Sequence, residues 1–231
     1  MMKNTILIIE DEKPISDIVK FNLEREGYDI ITAFDGLDGY QKGIQENVDL
    51  ILLDIMLPSM NGFDVCRHIR EKSSVPIIMV TAKEEEVDKI LGLELGADDY
   101  ITKPFSLREL IARVKANIRR TSMPNNNSAE SDLIQHKNLV IDTSKYSVTK
   151  NDTVLELTVR EYELLKFLAV QPNQVFSREQ LLKQVWGYEY YGDIRTVDVT
   201  IRRLREKLED DASNPTYILT KRGVGYFFKG E

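Results

Sequence analysis

The run DLILLDIMLP at residues 49–58 decides the fold of the first half of the chain. Leu50 to Leu53 are four consecutive aliphatic residues with no polar alternation, so a strand built from them is covered on both faces. It ends at Asp54, an acid closing an apolar segment. A strand buried on both sides belongs to a parallel sheet flanked by helices. Working outward, Thr5–Ile9 and Pro76–Thr81 are similar apolar runs, and Asp29–Ala33 and Asp99–Ile101 are shorter candidates. Between them the period changes. Ile15, Ile18, Val19 and Leu23 are spaced for one helical face over Pro14–Glu26, which Gly27 stops. Further helices are expected at Leu37–Glu46, Gly62–Glu71, Val87–Leu95 and Leu107–Arg119. Strands alternating with helices in this way predict a doubly wound α/β domain with five parallel strands over residues 1–120.

The pattern stops at Arg120. Thr121–Ser131 reads TSMPNNNSAES, a polar stretch with proline and three asparagines, and is read as a flexible linker. The grammar of residues 132–231 is different. Leu139–Asp142, Ser147–Thr149 and Val154–Leu157 read as short antiparallel strands. Helices follow at Thr158–Val170, Ser177–Trp186 and Arg195–Glu209. Thr158 and Ser177 are each followed three residues later by Glu161 and Gln180, the pattern of a capping box. A hairpin, Tyr217–Thr220 and Gly225–Lys229, closes the chain around the basic tip Lys221-Arg222-Gly223. This half is expected to be a small α+β domain.

No stretch approaches eighteen consecutive apolar residues, and the start carries acids directly after a short apolar run, so neither a membrane span nor a signal peptide is expected. The expected location is the cytoplasm. Cys66 is the single cysteine, which excludes an internal disulfide, and its place on an apolar helical stretch reads as a half-buried inert thiol. The net charge of −7 argues at first against a nucleic-acid partner. Yet the first 120 residues hold 22 acids against 16 bases, and the remainder is nearly balanced. Binding to DNA requires one positive face, not a positive total.

In an open parallel sheet, chemistry sits beyond the carboxyl ends of the strands. There the sequence puts Glu10-Asp11-Glu12, Asp54, Thr81 and Lys103-Pro104. If the first and third strands are neighbours, several carboxylates converge and repel one another unless a cation neutralises them. Hard oxygen donors suit Mg²⁺, which also neutralises phosphate oxygens. Asp54 is anchored by its strand and can act as a nucleophile towards phosphorus. Lys103 offers a positive charge and Thr81 a hydroxyl donor. Glu12 alone reads as an ordinary helix-start acid.

The segments Ile8–Glu12, Leu53–Pro58, Val80–Ala82 and Gly96–Phe105 closely resemble the signature segments of two-component receiver domains, over residues 3–120. The resemblance implies a flavodoxin-like receiver in which Asp54 accepts a phosphoryl group from a histidine kinase. It implies Mg²⁺ held by Glu10, Asp11, Asp54 and the backbone carbonyl of Met56, and phosphoryl oxygens bound by Thr81 and Lys103. Tyr100 would be the aromatic switch coupled to Thr81, although an aromatic there is also simply core. Within the OmpR/PhoB class it implies a two-fold receiver dimer. The pairs here would be Lys89–Glu109, Asp99–Arg113 and Asp98–Arg120, around Ile90, Leu93 and Ile111. For any single pair an ordinary solvated surface is the plainer reading.

On a helix at about 100° per residue, Val197, Ile201, Leu204 and Leu208 fall in one arc and form a core stripe. Thr196, Thr200, Arg203 and Lys207 fall on another face, flanked by Arg195, Arg202 and Arg205. Cations and short hydroxyls suit a major groove, and Arg222 at the hairpin tip suits an adjacent minor groove. Leu157–Leu165, Val185–Gly187, Arg195–Arg205 and Arg222–Tyr226 resemble the winged-helix effector of OmpR/PhoB response regulators, over residues 133–229. This implies that Arg195–Glu209 is the recognition helix and that the loop Gly187–Ile194 faces RNA polymerase. The expectation is a phosphorylation-switched regulator binding direct DNA repeats. Two other readings share some features: a carboxylate–Mg²⁺ phosphatase, against which stand the absence here of a second acid placed as general base for water and the presence of a complete DNA-reading domain, and a receiver acting by protein contact alone, which DNA retention by residues 132–231 would exclude.

Overall fold

The computed structural model describes residues 3–81, 92, 95–118, 133–187 and 194–230. The chain forms two compact units, residues 1–122 and 123–231. In the first, strands β1 (Thr5–Ile9), β2 (Asp29–Ala33), β3 (Leu50–Asp54), β4 (Ile77–Thr81) and β5 (Asp99–Thr102) form a sheet in the order β2-β1-β3-β4-β5. All four pairings are parallel. The expected adjacency of the first and third strands is present: Ile9 lies opposite Leu53, so Glu10 and Asp54 leave the same edge together. Leu50–Asp54 and Ile77–Thr81 are buried throughout, as uninterrupted apolar runs require.

Helices α1 (Lys13–Arg25), α2 (Gly36–Gln45), α3 (Gly62–Arg70) and α4 (Leu107–Ile118) cover the sheet. Asp35 caps α2 by accepting from the amides of Leu37 and Asp38, and Asn61 caps α3 by accepting from Asp64. One face of the core joins Ile6, Ile8, Leu50, Leu52, Ile78 and Val80 to Val19 and Leu23 of α1 and Leu110 and Val114 of α4. Cys66 is wholly buried, deeper than the half-burial expected. The expected helix Val87–Leu95 lies outside the described residues except at Gly92 and Leu95, and the linker Thr121–Ser131 lies wholly outside them.

The second unit opens with a sheet of order β6-β7-β8-β9, built from β6 (Leu133–His136), β7 (Leu139–Asp142), β8 (Ser147–Lys150) and β9 (Thr153–Val154). The strand expected at Val154–Leu157 is corrected: ladder pairing stops at Val154, after which the chain enters the cap of α5 (Val159–Ala169). β6 was not expected; its exposures alternate on a half-buried edge, a weak apolar signal. Both capping boxes form, Thr158 with Glu161 and Ser177 with Gln180. After β10 (Phe176–Ser177), α6 (Arg178–Leu181) runs into a wide π turn over Leu182–Trp186 rather than one regular helix. That turn delivers Trp186 into the core, where the Arg160 guanidinium lies 5.6 Å from its ring and donates to the Val185 carbonyl at 2.7 Å.

Helix α7 (Arg195–Leu208) follows, then the hairpin β11 (Ile218–Lys221) and β12 (Gly225–Phe228), to which β10 adds a third strand. Val197, Ile201, Leu204 and Leu208 are buried together with Leu164, Leu165, Leu168 and Trp186, confirming the core stripe. The C-terminus of α7 is capped by Lys150, which donates to the Leu208 carbonyl at 2.8 Å and to Asp210 at 2.7 Å.

Candidate functional site

Glu10 leaves β1, Asp54 ends β3, Thr81 ends β4 and Lys103 follows β5, so the parallel register gathers all four at one sheet edge. Lys103 Nζ lies 2.5 Å from Asp54 Oδ2 and 2.9 Å from Glu10 Oε1. Glu12 stands further off, at 3.7 Å, with an exposed side chain. Glu10 and Asp54 are buried and Asp11 is exposed, and one ligand oxygen from each of the three lies within 4.8 Å of the others. Asp54 Oδ1 accepts from the Met56 amide at 3.0 Å. The two oxygens of Asp54 thus have separate partners, an amide and an ammonium.

Burial pushes the Glu10 carboxyl up to about 7; the hydrogen bond from Lys103 pulls it down, and the neighbouring charge of Asp54 adds to the rise. For Lys103, burial opposes the charged form, but the hydrogen bonds to Asp54 and Glu10 outweigh it and hold its pKa above the ordinary lysine value. Three carboxylates against one ammonium leave an excess of negative charge. Hard oxygen donors with one open side, at Asp11, fit a divalent cation such as Mg²⁺. Close packing fixes the pocket's floor: a Cβ on Gly62 would stand 2.1 Å from the Asp54 carbonyl oxygen, so only glycine lets α3 start this near the strand end. Thr81 and Tyr100 are both buried, Tyr100 with 7% exposure, so its ring lies inward.

The expected dimer charges have partners within the chain. Asp98 and Asp99 are buried rather than on the surface. Asp98 Oδ2 accepts from Arg70 at 2.5 Å and from the Ile77 amide at 3.0 Å. Asp99 Oδ1 accepts from Arg113 at 2.8 Å, and Arg113 also pairs with Glu109 at 2.8 Å, all within one chain. The cause is position: Asp98 leads into β5 and Asp99 opens it, and the side chains that look arbitrary in sequence anchor β5 to α3, β4 and α4. Ile111 is half-buried against the core. Lys89, Ile90, Leu93 and Arg120 lie outside the described residues.

Helix α7 also departs from the wheel. Arg195, Arg202 and Lys207 are exposed, but Thr196, Thr200 and Arg203 are buried. Thr200 Oγ1 donates to the Thr196 carbonyl at 2.8 Å. Arg203 reaches Glu161 Oε1 at 2.9 Å, and Lys207 reaches Glu161 Oε2 at 2.7 Å. Glu161, wholly buried, is the acid of the α5 capping box, so it draws these two cations towards the domain. Burial raises its pKa, but the charges of Arg203 and Lys207 and the hydrogen bonds from Lys207 and the Thr158 amide more than reverse this. The accessible face of α7 is therefore Arg195, Asp198, Arg202, Arg205 and Glu206, with Arg202 and Glu206 paired at 3.1 Å. Sequence reading missed Lys183, exposed on the π turn. Lys221, Arg222 and Val224 are exposed at the hairpin tip, where Gly223 takes φ +74°. The loop expected to face RNA polymerase, Gly187–Ile194, is described only at its two ends.

Residues 6–115 match the response regulator receiver domain family, and residues 152–228 match the family described as transcriptional regulatory protein, C terminal. Among solved structures, a mutant of RitR is 31% identical, with 99% of this chain and 100% of that one covered and a TM-score of 0.77. DrrB of Thermotoga maritima, described as an OmpR/PhoB homolog, is 34% identical over 99% of this chain and 100% of its own, with a TM-score of 0.53. A two-component response regulator from Clostridium difficile is 34% identical over 52% of this chain and 100% of its own, with a TM-score of 0.51. The chain belongs to the OmpR/PhoB response regulators of two-component systems, with a receiver domain and a winged-helix DNA-binding domain for transcription regulation. Among the described residues no helix is long and apolar enough to cross a membrane.

Proposed function

We propose that Asp54 accepts a phosphoryl group from a partner histidine kinase, and that the modified protein dimerises and binds repeated DNA sites in sequence-specific fashion to regulate transcription. The observation that carries this reading is Lys103 placed 2.5 Å from Asp54 and 2.9 Å from Glu10 beyond the strand ends. In the transfer, an Asp54 carboxylate oxygen bonds to phosphorus. The phosphorus–nitrogen bond to the donor imidazole breaks, and its electron pair returns to the ring. Lys103 remains beside the new acyl phosphate as a fixed positive charge, and Thr81 supplies a hydroxyl to a phosphoryl oxygen. Glu10, Asp11 and Asp54, with the Met56 carbonyl, would hold Mg²⁺. Mg²⁺, when bound, supplies charge neutralisation for the phosphoryl oxygens. Tyr100, next to that site in the sheet order, is the proposed carrier of the change towards α4.

For the DNA step, Arg195 and Arg202 on α7 and Lys221 and Arg222 on the wing are the proposed contacts. Lys207 is exposed enough to reach a phosphate, whereas Thr196, Thr200 and Arg203 act from within. Dimerisation is proposed along α4, where Glu109 and Ile111 are partly accessible; Asp99 and Arg113 would take part by exchanging their partner within the chain for one across the two-fold axis. RNA polymerase is the proposed partner of the loop Gly187–Ile194. Treatment with a small phosphodonor and Mg²⁺, comparing the protein with Asp54→Ala, tests the first step. Labelling of the parent and none of the variant is expected; equal labelling of both rejects Asp54 as acceptor.

A further inference from the structure

The recognition helix and the wing are joined by contacts that neither base reading nor phosphate binding uses. Asp198, in the first turn of α7, accepts on one oxygen, Oδ1, from Tyr226 Oη at 2.7 Å and from Arg178 Nε at 2.6 Å. Arg178 also donates to Tyr226 Oη at 3.2 Å, and its guanidinium lies 5.0 Å from the centre of the tyrosine ring. At the other end of α7, Arg205 donates twice to the Ile218 carbonyl, at 3.0 and 2.7 Å, and to Thr220 Oγ1 at 2.8 Å. Its guanidinium lies 5.6 Å from the same ring. β12 is thereby tied to the first turn of the helix and β11 to its last. Two guanidinium groups attend the Tyr226 ring, and the residue is only 6% exposed.

Apolar packing alone holds two elements together without fixing their register, because it has no direction. Hydrogen bonds from Tyr226 and Arg178 to one carboxylate oxygen do fix it. The charge arrangement has a second effect. Asp198 lies on the accessible face with Arg195 and Arg202, where a lone carboxylate would repel phosphate; paired with Arg178 it does not.

We propose that Tyr226, Asp198 and Arg178 are positioning residues that set the distance between α7 and the wing tip, so that Arg195 and Arg202 engage one groove while Lys221 and Arg222 engage the next. This rests on the DNA-binding reading above and adds to it which residues make the two contacts simultaneous. A wing cation contributes counterion release only while it is held at a phosphate. Loosening the clamp should therefore look, in a salt titration, like the loss of a cation that is still present.

The probe is a labelled duplex enriched from a random-sequence pool by the full-length protein, titrated at several salt concentrations. Tyr226→Phe removes one oxygen and leaves every cation in place. Affinity is expected to fall roughly 5–10-fold, with the slope of log K against log salt shallower by about one, as for one lost phosphate contact. Arg222→Ala should lose the same slope, and adding it to Tyr226→Phe should cost less than about a further twofold, because the two changes act on one contact. Simple loss of folded protein lowers the active fraction without changing the slope. Asp198→Asn is the second variant and decides the matter if Tyr226→Phe does not fold. It removes a negative charge, which by itself tightens binding, so weaker binding with a shallower slope is the supporting result. An unchanged slope in the folded variant, or full additivity with Arg222→Ala, overturns the clamp. If the unaltered protein enriches no duplex, the DNA-binding reading falls and the clamp with it, a result distinct from binding with an unchanged slope.

Discussion

Arg203→Ala separates a base-reading arginine from one that supports the domain. Arg203 is 9% exposed and lies 2.9 Å from the wholly buried carboxylate of Glu161. Removing one partner of a buried ion pair leaves an uncompensated charge, typically at about 3–5 kcal/mol. Lys207 at 2.7 Å and the Thr158 amide at 2.8 Å still hold the other carboxylate oxygen. The expected loss therefore falls to about 2–3 kcal/mol, at or just below the bottom of that range. For a domain of roughly 100 residues this corresponds to about 10–20 °C in Tm. Trp186 is the single tryptophan and is wholly buried in this unit, so its fluorescence in the full chain follows this domain alone. The urea midpoint should fall with the slope unchanged. Glu161 titrates below its ordinary value when folded, so its contribution is complete above the unfolded carboxylate pKa of about 4.3 and is lost as pH falls through the lower folded value. Without Arg203 that acid loss should begin at higher pH, and adding Glu161→Gln should recover part of the stability at neutral pH. An unchanged Trp186 transition, together with a loss of about 1–3 kcal/mol on cognate DNA only, would show that Arg203 reads a base after all.

Asp11→Asn should weaken Mg²⁺ binding, followed by calorimetry, and slow phosphorylation in parallel; unchanged Mg²⁺ affinity would remove Asp11 from the ligand set. Glu109→Lys puts a second cation beside the buried Arg113 in place of the pair at 2.8 Å and should weaken the phosphorylated dimer in sedimentation velocity, with the Tm of the unphosphorylated variant measured alongside. Normal dimerisation of that variant would move the interface elsewhere. Footprinting on synthetic operators should favour direct half-sites about one helical turn apart, and a strong preference for inverted repeats would refute the head-to-tail arrangement.

The receiver was legible because its signals are local. Leu50–Leu53 cannot sit half-buried, and once the strands are parallel, the residue after each apolar run is bound for the same edge. The amino-acid sequence alone thereby places Glu10, Asp54, Thr81 and Lys103 at one edge, as the sheet order bears out. It does not give the side-chain partners. That Lys103 divides itself between Asp54 and Glu10 depends on the sheet order β1-β3-β4-β5 and on the reach of a flexible side chain across it. The partners of Asp98 and Asp99 were hidden for a related reason. Adjacent acids at the start of a short strand read as surface, whereas Arg70 and Arg113, 28 and 14 residues away, supply the charges that make their burial tolerable.

The surroundings of α7 carry a physical lesson. A helical wheel gives the angle of each side chain, but not how many sides of the helix are covered. The apolar stripe Val197–Ile201–Leu204–Leu208 marks one contact, with the core. The side bearing Thr196, Thr200 and Arg203 is covered as well, by polar contacts that leave no apolar trace: a hydroxyl hydrogen-bonded to the preceding turn, and a guanidinium ion-paired with Glu161. The clue was present in the other half of the pattern. Glu161 is the acid of a capping box, and a capping acid that caps only its own helix has no reason to be wholly buried. Its burial requires compensating charge, and α7 supplies it. Three cations that the wheel groups together thus divide by surroundings: Arg203 is buried against Glu161, Lys207 is exposed yet reaches the same acid, and Arg202 is exposed beside Glu206. Most of α7 is engaged with the rest of its domain: the apolar stripe with the core, Arg203 with Glu161, and Asp198 and Arg205 with the strands of the terminal hairpin.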